Sequence, residues 1–170
     1  MLYFTGMGAS EKTMASGPRP ASPVSCETQL DGTRAFRQAK ILVVEDHPLV
    51  REGILALLRQ QPDLTCCGEA DSIFTTFTHV ALKRPDLVLL DLRLQDGDGF
   101  ELIHILRLKY PQIAILVLSQ SDERLYARKA IGSGARGYLM KQNAPIELAN
   151  AIRAVLAGKV YLSAEMRTDC

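Results

Sequence analysis

From residue 39 onward, short apolar runs alternate along the chain with segments whose apolar residues recur at helical spacing. A continuous apolar run is typical of a strand that is buried on both faces, whereas recurrence at i, i+4, i+7 and i+8 makes one apolar stripe on a helix. The runs lie at residues 41–44, 64–67, 87–90, 113–118 and 137–140. The pattern therefore predicts five strands, each followed by a helix.

The five helical stripes differ in quality. Their members, in chain order, are Val50, Ile54, Leu57 and Leu58; Ile73, Phe77, Val80 and Ala81; Leu102, Ile103, Leu106 and Tyr110; Leu125, Tyr126, Ala130 and Ile131; Leu148, Ile152, Val155 and Leu156. Basic residues interrupt the fourth stripe, so we expect the fourth helix to be the least firmly packed. Asn143 is the expected N-cap of the last helix, which carries Pro145 in its first turn and stops at Gly158.

Strands that alternate with helices predict parallel β-α-β units and a three-layer α/β fold with a doubly wound parallel sheet. Ligand sites in such open sheets lie beyond the carboxyl ends of the strands. Residues 1–38 are rich in small and polar residues, so we expect a flexible arm, whose first seven residues resemble the remnant of a protease-cleavable tag. Residues 39–158 form the predicted domain, and residues 159–170 the start of a linker.

Composition and charge narrow the possible functions. The 170 residues include 20 basic and 19 acidic ones, and the net charge of +1 gives no general attraction to nucleic acid or anionic lipid. The longest apolar run is far shorter than the roughly 20 residues of a membrane span. The cysteines lack metal-site or redox spacing, so we expect reduced thiols in a cytoplasmic protein without a zinc site: Cys26, Cys66, Cys67 and Cys170.

Polar residues follow four of the five runs, where the carboxyl ends of parallel strands meet. Glu45 and Asp46 follow the first run, Asp91 the third, Ser119 the fourth and Lys141 the fifth. Each residue alone has an ordinary structural explanation as a turn residue, a helix cap or a solvated charge. Together they place three carboxylates, a hydroxyl and an ammonium group on one edge.

This combination indicates metal-assisted phosphoryl chemistry. Three neighbouring carboxylates repel each other by about 1 kcal/mol per pair in water and roughly 4 kcal/mol at a partly shielded surface. Mg²⁺ or Mn²⁺ would relieve that repulsion, since both ions accept all-oxygen ligation. Ser119 and Lys141 suit a phosphoryl group, and Asp91 is the candidate nucleophile for an aspartyl phosphate. No histidine is expected to serve as a ligand, and His47 is expected to be a loop residue beside the acidic pair.

The chain at these positions resembles the response-regulator receiver domains of two-component signalling, over residues 39 to about 158. The matching segments are EDHP at residues 45–48, GEA at 68–70, LLDL at 89–92 and GARGYLMK at 134–141. They are similar to the NarL/FixJ (LuxR-type) group in particular. The resemblance implies a flavodoxin/CheY-like (βα)5 fold with strand order 2-1-3-4-5.

The resemblance also implies how the site works. Asp91 would accept a phosphoryl group from a sensor histidine kinase. Glu45, Asp46, Asp91 and the backbone carbonyl of Arg93 would hold Mg²⁺ or Mn²⁺. The expected chemistry is limited to phosphorylation, including slow self-phosphorylation from small donors, and slow self-dephosphorylation, so we do not expect a conventional enzyme.

Switching and output are implied in the same way. Ser119 and Lys141 would bind phosphoryl oxygens, and Tyr138 would turn inward when Ser119 moves toward the phosphate. The face formed by the fourth helix, fifth strand and fifth helix would then change and could support a phosphorylation-dependent homodimer. The related group continues into a DNA-binding output domain, so we expect either a part of a longer transcription regulator or a stand-alone receiver.

The chain departs from the family pattern at two places. Gln95 stands where the family commonly has a proline, which predicts a less rigid loop after the third strand without loss of a ligand. The start of the second helix, DSIFTTF at residues 71–77, differs from the usual one and bears on kinase specificity.

Three other readings remain open at this stage. An aspartyl-phosphate phosphohydrolase would carry its nucleophile after the first strand and would need a cap over the substrate. A flavodoxin-like cofactor binder would need a loop rich in glycine and serine where this chain has EDHP. The third reading is a degenerate receiver that acts only as an interaction module, and the complete set of key residues argues against it.

Overall fold

A computed structural model describes residues 37–163 of the chain. The tag remnant and nearly all of the expected flexible arm lie outside the described residues, as does the end of the expected linker. None of the helices within residues 37–163 combines the length and the apolar character that a membrane span requires.

Five strands form one parallel sheet. They are β1 (Ala39–Val44), β2 (Leu64–Ala70), β3 (Leu87–Leu90), β4 (Ala114–Ser119) and β5 (Gly137–Met140). The order across the sheet is β2-β1-β3-β4-β5, which confirms the predicted topology. β2 extends three residues beyond the predicted run.

Helices cover both faces of the sheet. They are α1 (Pro48–Arg59), α2 (Ile73–Lys83), α3 (Gly99–Lys109), α4 (Glu123–Ser133) and α5 (Ala144–Leu156). Alternate residues of β1 point to opposite faces: Ile41 and Val43 join a core with α1 and α5, while Leu42 and Val44 join a core with α2, α3 and α4. The strands are therefore apolar throughout because each contributes to two cores, as the sequence pattern indicated.

Two stripe predictions were wrong. Ala81 is exposed on α2. Thr76, which the stripe did not include, is fully buried. Its hydroxyl donates to the Ser72 carbonyl at 2.7 Å, so its burial leaves no unsatisfied donor. Leu125 on α4 is 73% exposed, and the small residues Ala127 and Ala130 face the sheet instead. Small inward residues let α4 lie close to the strands with little apolar side-chain volume.

Helix starts also differ from expectation. The α5 helix begins after Asn143, as predicted, but the Asn143 side chain makes no capping hydrogen bond. A 3-10 turn, Lys141–Asn143, leads directly into α5 and supplies backbone continuity instead. At α4 the cap is Asp122, whose side chain accepts from the Arg124 amide at 2.8 Å.

The chain after α5 returns to the sheet. Tyr161 forms an isolated parallel bridge beside β5: the Tyr138 amide donates to the Tyr161 carbonyl at 2.9 Å, and the Tyr161 amide donates to the Arg136 carbonyl at 3.0 Å. We call residues 159–163 the C-terminal strap. It lies along the outer edge of β5, although the sequence assigned these residues to the start of a linker.

Candidate functional site

Three acidic side chains meet where β1 and β3 end. Val44 of β1 pairs with Leu90 of β3, so Glu45 and Asp46 leave the sheet next to Asp91. The exposed fractions of these side chains are 1%, 5% and 3% in that order. We call Glu45, Asp46 and Asp91 the carboxylate cluster. The sequence predicted this grouping, because the three residues directly follow predicted strands at one edge of the sheet.

Lys141 joins the carboxylate cluster from β5, two strands away from β3. Its Nζ lies 2.5 Å from Glu45 Oε2 and 2.8 Å from Asp91 Oδ2, and only 9% of the side chain is exposed. One ammonium group against three carboxylates leaves a formal charge of −2. Buried charges are costly unless they are paired, so the site favours a ligand with two positive charges.

Asp46 shows where such a ligand would bind. Neither of its carboxylate oxygens has a hydrogen-bond partner among the described residues, although both are buried. A buried acceptor without a donor is rare and costs about 1 to 3 kcal/mol. The oxygen-rich donor set and the orphaned oxygens fit Mg²⁺ or Mn²⁺.

His47 lies beside the carboxylate cluster. Its Nδ1 lies 2.7 Å from Asp46 Oδ1 and 3.2 Å from Glu45 Oε1. One potential ligand atom from each of His47, Glu45, Asp46 and Asp91 falls within a group spanning 4.8 Å. His47 is thus a loop residue beside the acidic pair, as expected, and the expectation that no histidine serves as a ligand stays a prediction.

The loop after Asp91 is held at several points. The Arg93 amide donates to Asp91 Oδ1 at 3.3 Å, and Arg93–Leu94 pairs with Gly97–Asp98 as a short antiparallel ladder. The Asp96 carboxylate accepts from the Ile73 amide at 2.7 Å, at the first turn of α2. These contacts brace a loop that Gln95 was expected to leave less rigid.

Arg51 holds the other side of the site and was not found by sequence reasoning. Its Nη1 donates to the Glu45 carbonyl at 2.7 Å, and its Nε donates to Glu69 Oε2 at 3.2 Å. The guanidinium group thus ties the end of β1 to the end of β2. An arginine one turn into a helix carries no sequence signal for such a role, because both partners are brought there by the sheet.

Ser119 ends β4 and Tyr138 lies within the neighbouring β5, and both are fully buried. Ser119 Oγ accepts from the Ser121 amide at 3.1 Å, and the Tyr138 hydroxyl donates to the Ser121 carbonyl at 2.8 Å. The ring of Tyr138 is therefore inward in this structure. Burial raises the pKa of Tyr138, and a hydrogen bond with Ser119 acts in the opposite direction.

Comparison with known proteins places this geometry in a family. The sequence profile of the response regulator receiver domain matches residues 41–153. The chain is 40% identical over 125 residues to the DNA-binding transcriptional activator DevR/DosR of Mycobacterium tuberculosis, covering 72% of this chain and 57% of that protein. It is 36% identical over 125 residues to the nitrate/nitrite response regulator NarL of Escherichia coli K12, covering 74% and 58%.

Solved structures give the same result. A LuxR-family two-component response regulator from Aurantimonas sp. SI85-9A1 superposes with a TM-score of 0.72 at 33% identity, over 77% of this chain and 94% of that chain. The signal receiver domain of a NarL response regulator from Mycobacterium tuberculosis superposes with a TM-score of 0.68 at 28% identity, over 72% and 99%.

The extent of these matches matters for function. This chain spans 57% and 58% of the length of the two curated relatives above, and it covers nearly all of the isolated receiver domain. The match is to a signalling domain and not to a conventional enzyme. By its fold and by its sequence, this chain belongs to the family of response-regulator receiver domains of two-component systems.

Proposed function

We propose that Asp91 is the phosphoacceptor of this receiver domain and takes its phosphoryl group from a sensor histidine kinase. The observation that carries the proposal is the position of Lys141, whose ammonium group contacts Asp91 and Glu45 in a buried site with a formal charge of −2. Asp91 directly follows the central strand β3. This position brings it to the carboxyl edge of the sheet, where the carboxylate cluster lies.

Glu45, Asp46, Asp91 and the backbone carbonyl of Arg93 hold a divalent cation, Mg²⁺ or Mn²⁺, in this proposal. The ion supplies positive charge that offsets the repulsion between the carboxylates and the incoming phosphoryl oxygens. Support comes from the two orphaned oxygens of Asp46. The Arg93 amide already contacts Asp91, which keeps that stretch of backbone beside the cluster.

Lys141 and Ser119 bind the phosphoryl oxygens. The position of Tyr138 changes when Ser119 moves toward the phosphate. Ser119 and Tyr138 share Ser121 as a hydrogen-bond partner. When the Ser119 hydroxyl turns to the phosphate, Ser121 and the start of α4 have to adjust. The face formed by α4, β5 and α5 thereby changes between the two states.

The output of the switch lies in protein contacts. We propose a phosphorylation-dependent homodimer and, in a longer protein, control of a DNA-binding domain that follows the strap. DevR/DosR is described as a DNA-binding transcriptional activator, and the chain matches only part of it. A cytoplasmic site of action follows from partnership with the kinase domain of a sensor. A stand-alone receiver is the alternative.

Phosphorylation from acetyl phosphate tests the central assignment. The wild-type chain with Mg²⁺ should gain the mass of one phosphoryl group, and alkali or hydroxylamine should remove it, as expected for an acyl phosphate. Asp91→Asn should gain none. Asp63→Asn changes a half-buried aspartate that pairs with Arg153, and it should be labelled like the wild type.

Two results would overturn the assignment. One is equal labelling of Asp91→Asn and wild type. The other is a wild-type chain that binds Mg²⁺, as measured by calorimetry, and takes up no phosphoryl group from acetyl phosphate or from any histidine kinase offered to it.

A further inference from the structure

We propose that Glu123 couples the phosphorylation switch to the C-terminal strap, so that a phosphoryl group on Asp91 releases the strap from the sheet. This inference rests on the proposed function, since it concerns where the movement of Ser119 is transmitted. The strap, residues 159–163, follows α5, and residues 164–170 are attached through it. Its position therefore decides where the chain leaves the domain.

The strap is anchored to two different elements. At the edge of β5, the Tyr161 amide donates to the Arg136 carbonyl at 3.0 Å, and the Tyr161 carbonyl accepts from the Tyr138 amide at 2.9 Å. At α4, the carboxylate of Glu123, the first residue of that helix, accepts from the Ser163 amide at 2.7 Å. The strap thus bridges a strand and a helix, and both anchors hold only while the two elements keep their relative position.

Glu123 is a buried carboxylate in the first turn of α4. Only 6% of the residue is exposed, and a buried charge needs hydrogen-bond donors to offset its desolvation. The Ser163 amide supplies one donor from 40 residues further along the chain. A hydrogen bond to an ionised acceptor is stronger than one between neutral groups, and it weakens when the two atoms separate. The Glu123–Ser163 contact is therefore sensitive to small shifts of α4.

The start of α4 is connected to Ser119 by two hydrogen bonds. Ser119 Oγ accepts from the Ser121 amide at 3.1 Å, and the Ser121 carbonyl accepts from the Tyr138 hydroxyl at 2.8 Å. Ser121 lies two residues before Glu123. When Ser119 Oγ moves toward the phosphoryl group, it moves away from the Ser121 amide, and the backbone that leads into α4 has to shift.

The helix α4 can shift more easily than α5. It packs on the sheet through Ala127 and Ala130, whose side chains are small, so a displacement breaks few dispersion contacts. The strap is also tied to α5, because the Tyr161 hydroxyl donates to Glu147 Oε2 at 2.5 Å. That helix packs through larger core residues, among them Ile152. A shift of α4 alone therefore draws one anchor of the strap away from the others.

Release of the strap changes how the following chain is attached. In the docked state the last fixed residue is Ser163, whereas after release it is Gly158 at the end of α5. Five extended residues span up to about 17 Å, so the attachment of the following chain gains that much reach. Release also uncovers the outer edge of β5, which lies in the middle of the face formed by α4, β5 and α5.

Amide hydrogen exchange of the full chain, measured by nuclear magnetic resonance, tests the coupling. Beryllofluoride with Mg²⁺ is the probe for the phosphorylated state, and its bound fluorine signal shows that the complex has formed. In the wild type, binding should speed exchange of the Tyr161 amide about tenfold or more, the factor expected when one charge-assisted hydrogen bond is lost. The Val43 amide, in the middle of the sheet, should be unaffected.

Matched variants at the two side-chain contacts of the strap identify the route. Glu123→Ala and Glu147→Ala should both speed Tyr161 exchange in the free chain. In Glu147→Ala, beryllofluoride should still add about tenfold, because the contact with α4 is intact. In Glu123→Ala it should add less than about twofold, because the contact that the switch breaks is already absent. Ser163→Pro removes the donor of the same contact and should respond like Glu123→Ala.

The outcomes separate this inference from the proposed function. Bound beryllofluoride without faster Tyr161 exchange in the wild type would overturn the coupling and leave the role of Asp91 unchanged. An equal response of Glu123→Ala and Glu147→Ala, whether retained or lost, would also overturn it. A wild type that binds no beryllofluoride would contradict both proposals. A response retained in Glu147→Ala and lost in Glu123→Ala would establish Glu123 as the positioning residue that links the switch to the strap.

Discussion

The carboxylate cluster and the C-terminal strap both gather polar groups at the sheet, but they leave them in opposite states. In the cluster, the buried oxygens of Asp46 accept no hydrogen bond from residues 37–163, and Lys141 pairs with two of the three acids. At the strap, the backbone of Tyr161 is paired on both sides, and the Ser163 amide donates to the buried carboxylate of Glu123 at 2.7 Å.

This difference distinguishes a site that favours a bound cation from a region whose polar groups stabilise the fold without a ligand. Unpaired buried charge lowers the stability of the free domain and favours any ligand that neutralises it. Paired polar groups stabilise the structure without a ligand, and Leu162 adds apolar burial at the strap. Removing a negative charge should therefore change the free energy of unfolding in opposite directions in the two regions. The variants below test that comparison.

Removing the ammonium group of Lys141 should have the largest effect. Lys141→Met leaves Glu45 and Asp91 buried without a cation, and breaking one partner of a buried ion pair costs about 3 to 5 kcal/mol. The free energy of unfolding, measured by urea titration in EDTA, should fall by this amount. Part of the loss should return when a divalent cation is added. A stability equal to wild type in EDTA would contradict the pairing.

The strap should show the next effect. Leu162 is 8% exposed and packs in the core that contains Tyr138, so Leu162→Ala should cost about 2 to 3 kcal/mol. Hydrogen exchange should accelerate at the amides of Tyr138 and Tyr161, which bond across the bridge. Val160→Ala is the control, since Val160 is 57% exposed. Unchanged exchange at both amides would show that the strap adds no protection.

The most direct test of the comparison is whether the same chemical change shifts the free energy of unfolding in opposite directions in the two regions. Asp46→Asn removes a buried charge whose oxygens accept no hydrogen bond from residues 37–163, and it should raise the free energy of unfolding in EDTA by about 1 to 3 kcal/mol. Glu123→Gln makes the same chemical change at the strap, where the carboxylate is paired, and should lower it by about 0.5 to 1 kcal/mol. The same sign for both variants would remove the distinction between the regions.

Tyr138→Phe should have an effect as small as that of Glu123→Gln, about 1 kcal/mol on the free energy of unfolding, because the Ser121 carbonyl loses its donor. Burial raises the pKa of Tyr138 in the folded state. The neutral hydroxyl therefore contributes fully to the free energy of unfolding below pH about 10, the ordinary tyrosine pKa. That contribution is lost as the pH rises through the pKa of the folded state. Stability measured from pH 8 upward should therefore decline with Tyr138 titration in wild type and not in Tyr138→Phe. Tyr126→Phe, whose ring stacks on Phe100, should retain the decline.

Much of the fold could be predicted because the apolar pattern within each segment indicates which of its residues are buried. The runs of β3 and β5 coincide with the observed strands, and the order β2-β1-β3-β4-β5 agrees with the prediction. The predicted core was wrong at positions where a small or polar residue is buried that the apolar pattern does not mark. Thr76 is buried through its hydrogen bond to the Ser72 carbonyl, which no apolar pattern indicates.

The site was predictable to the level of residue identity and strand end. Glu45, Asp46, Asp91 and Lys141 come together as expected. Arg51 was missed, since it has no spacing that marks it. Its contacts with Glu45 and Glu69 depend on the rotation of α1.

The sequence by itself determined which segments are strands and helices and which polar residues stand at strand ends, because side-chain burial and backbone preference act over a few residues. Only the tertiary structure decided which of those residues touch. Lys141 and Asp91 are 50 residues apart, and Ser163 and Glu123 are 40 apart. Whether a carboxylate finds a donor depends on distances of a few tenths of an ångström across strands, which the packing of the two helical layers sets.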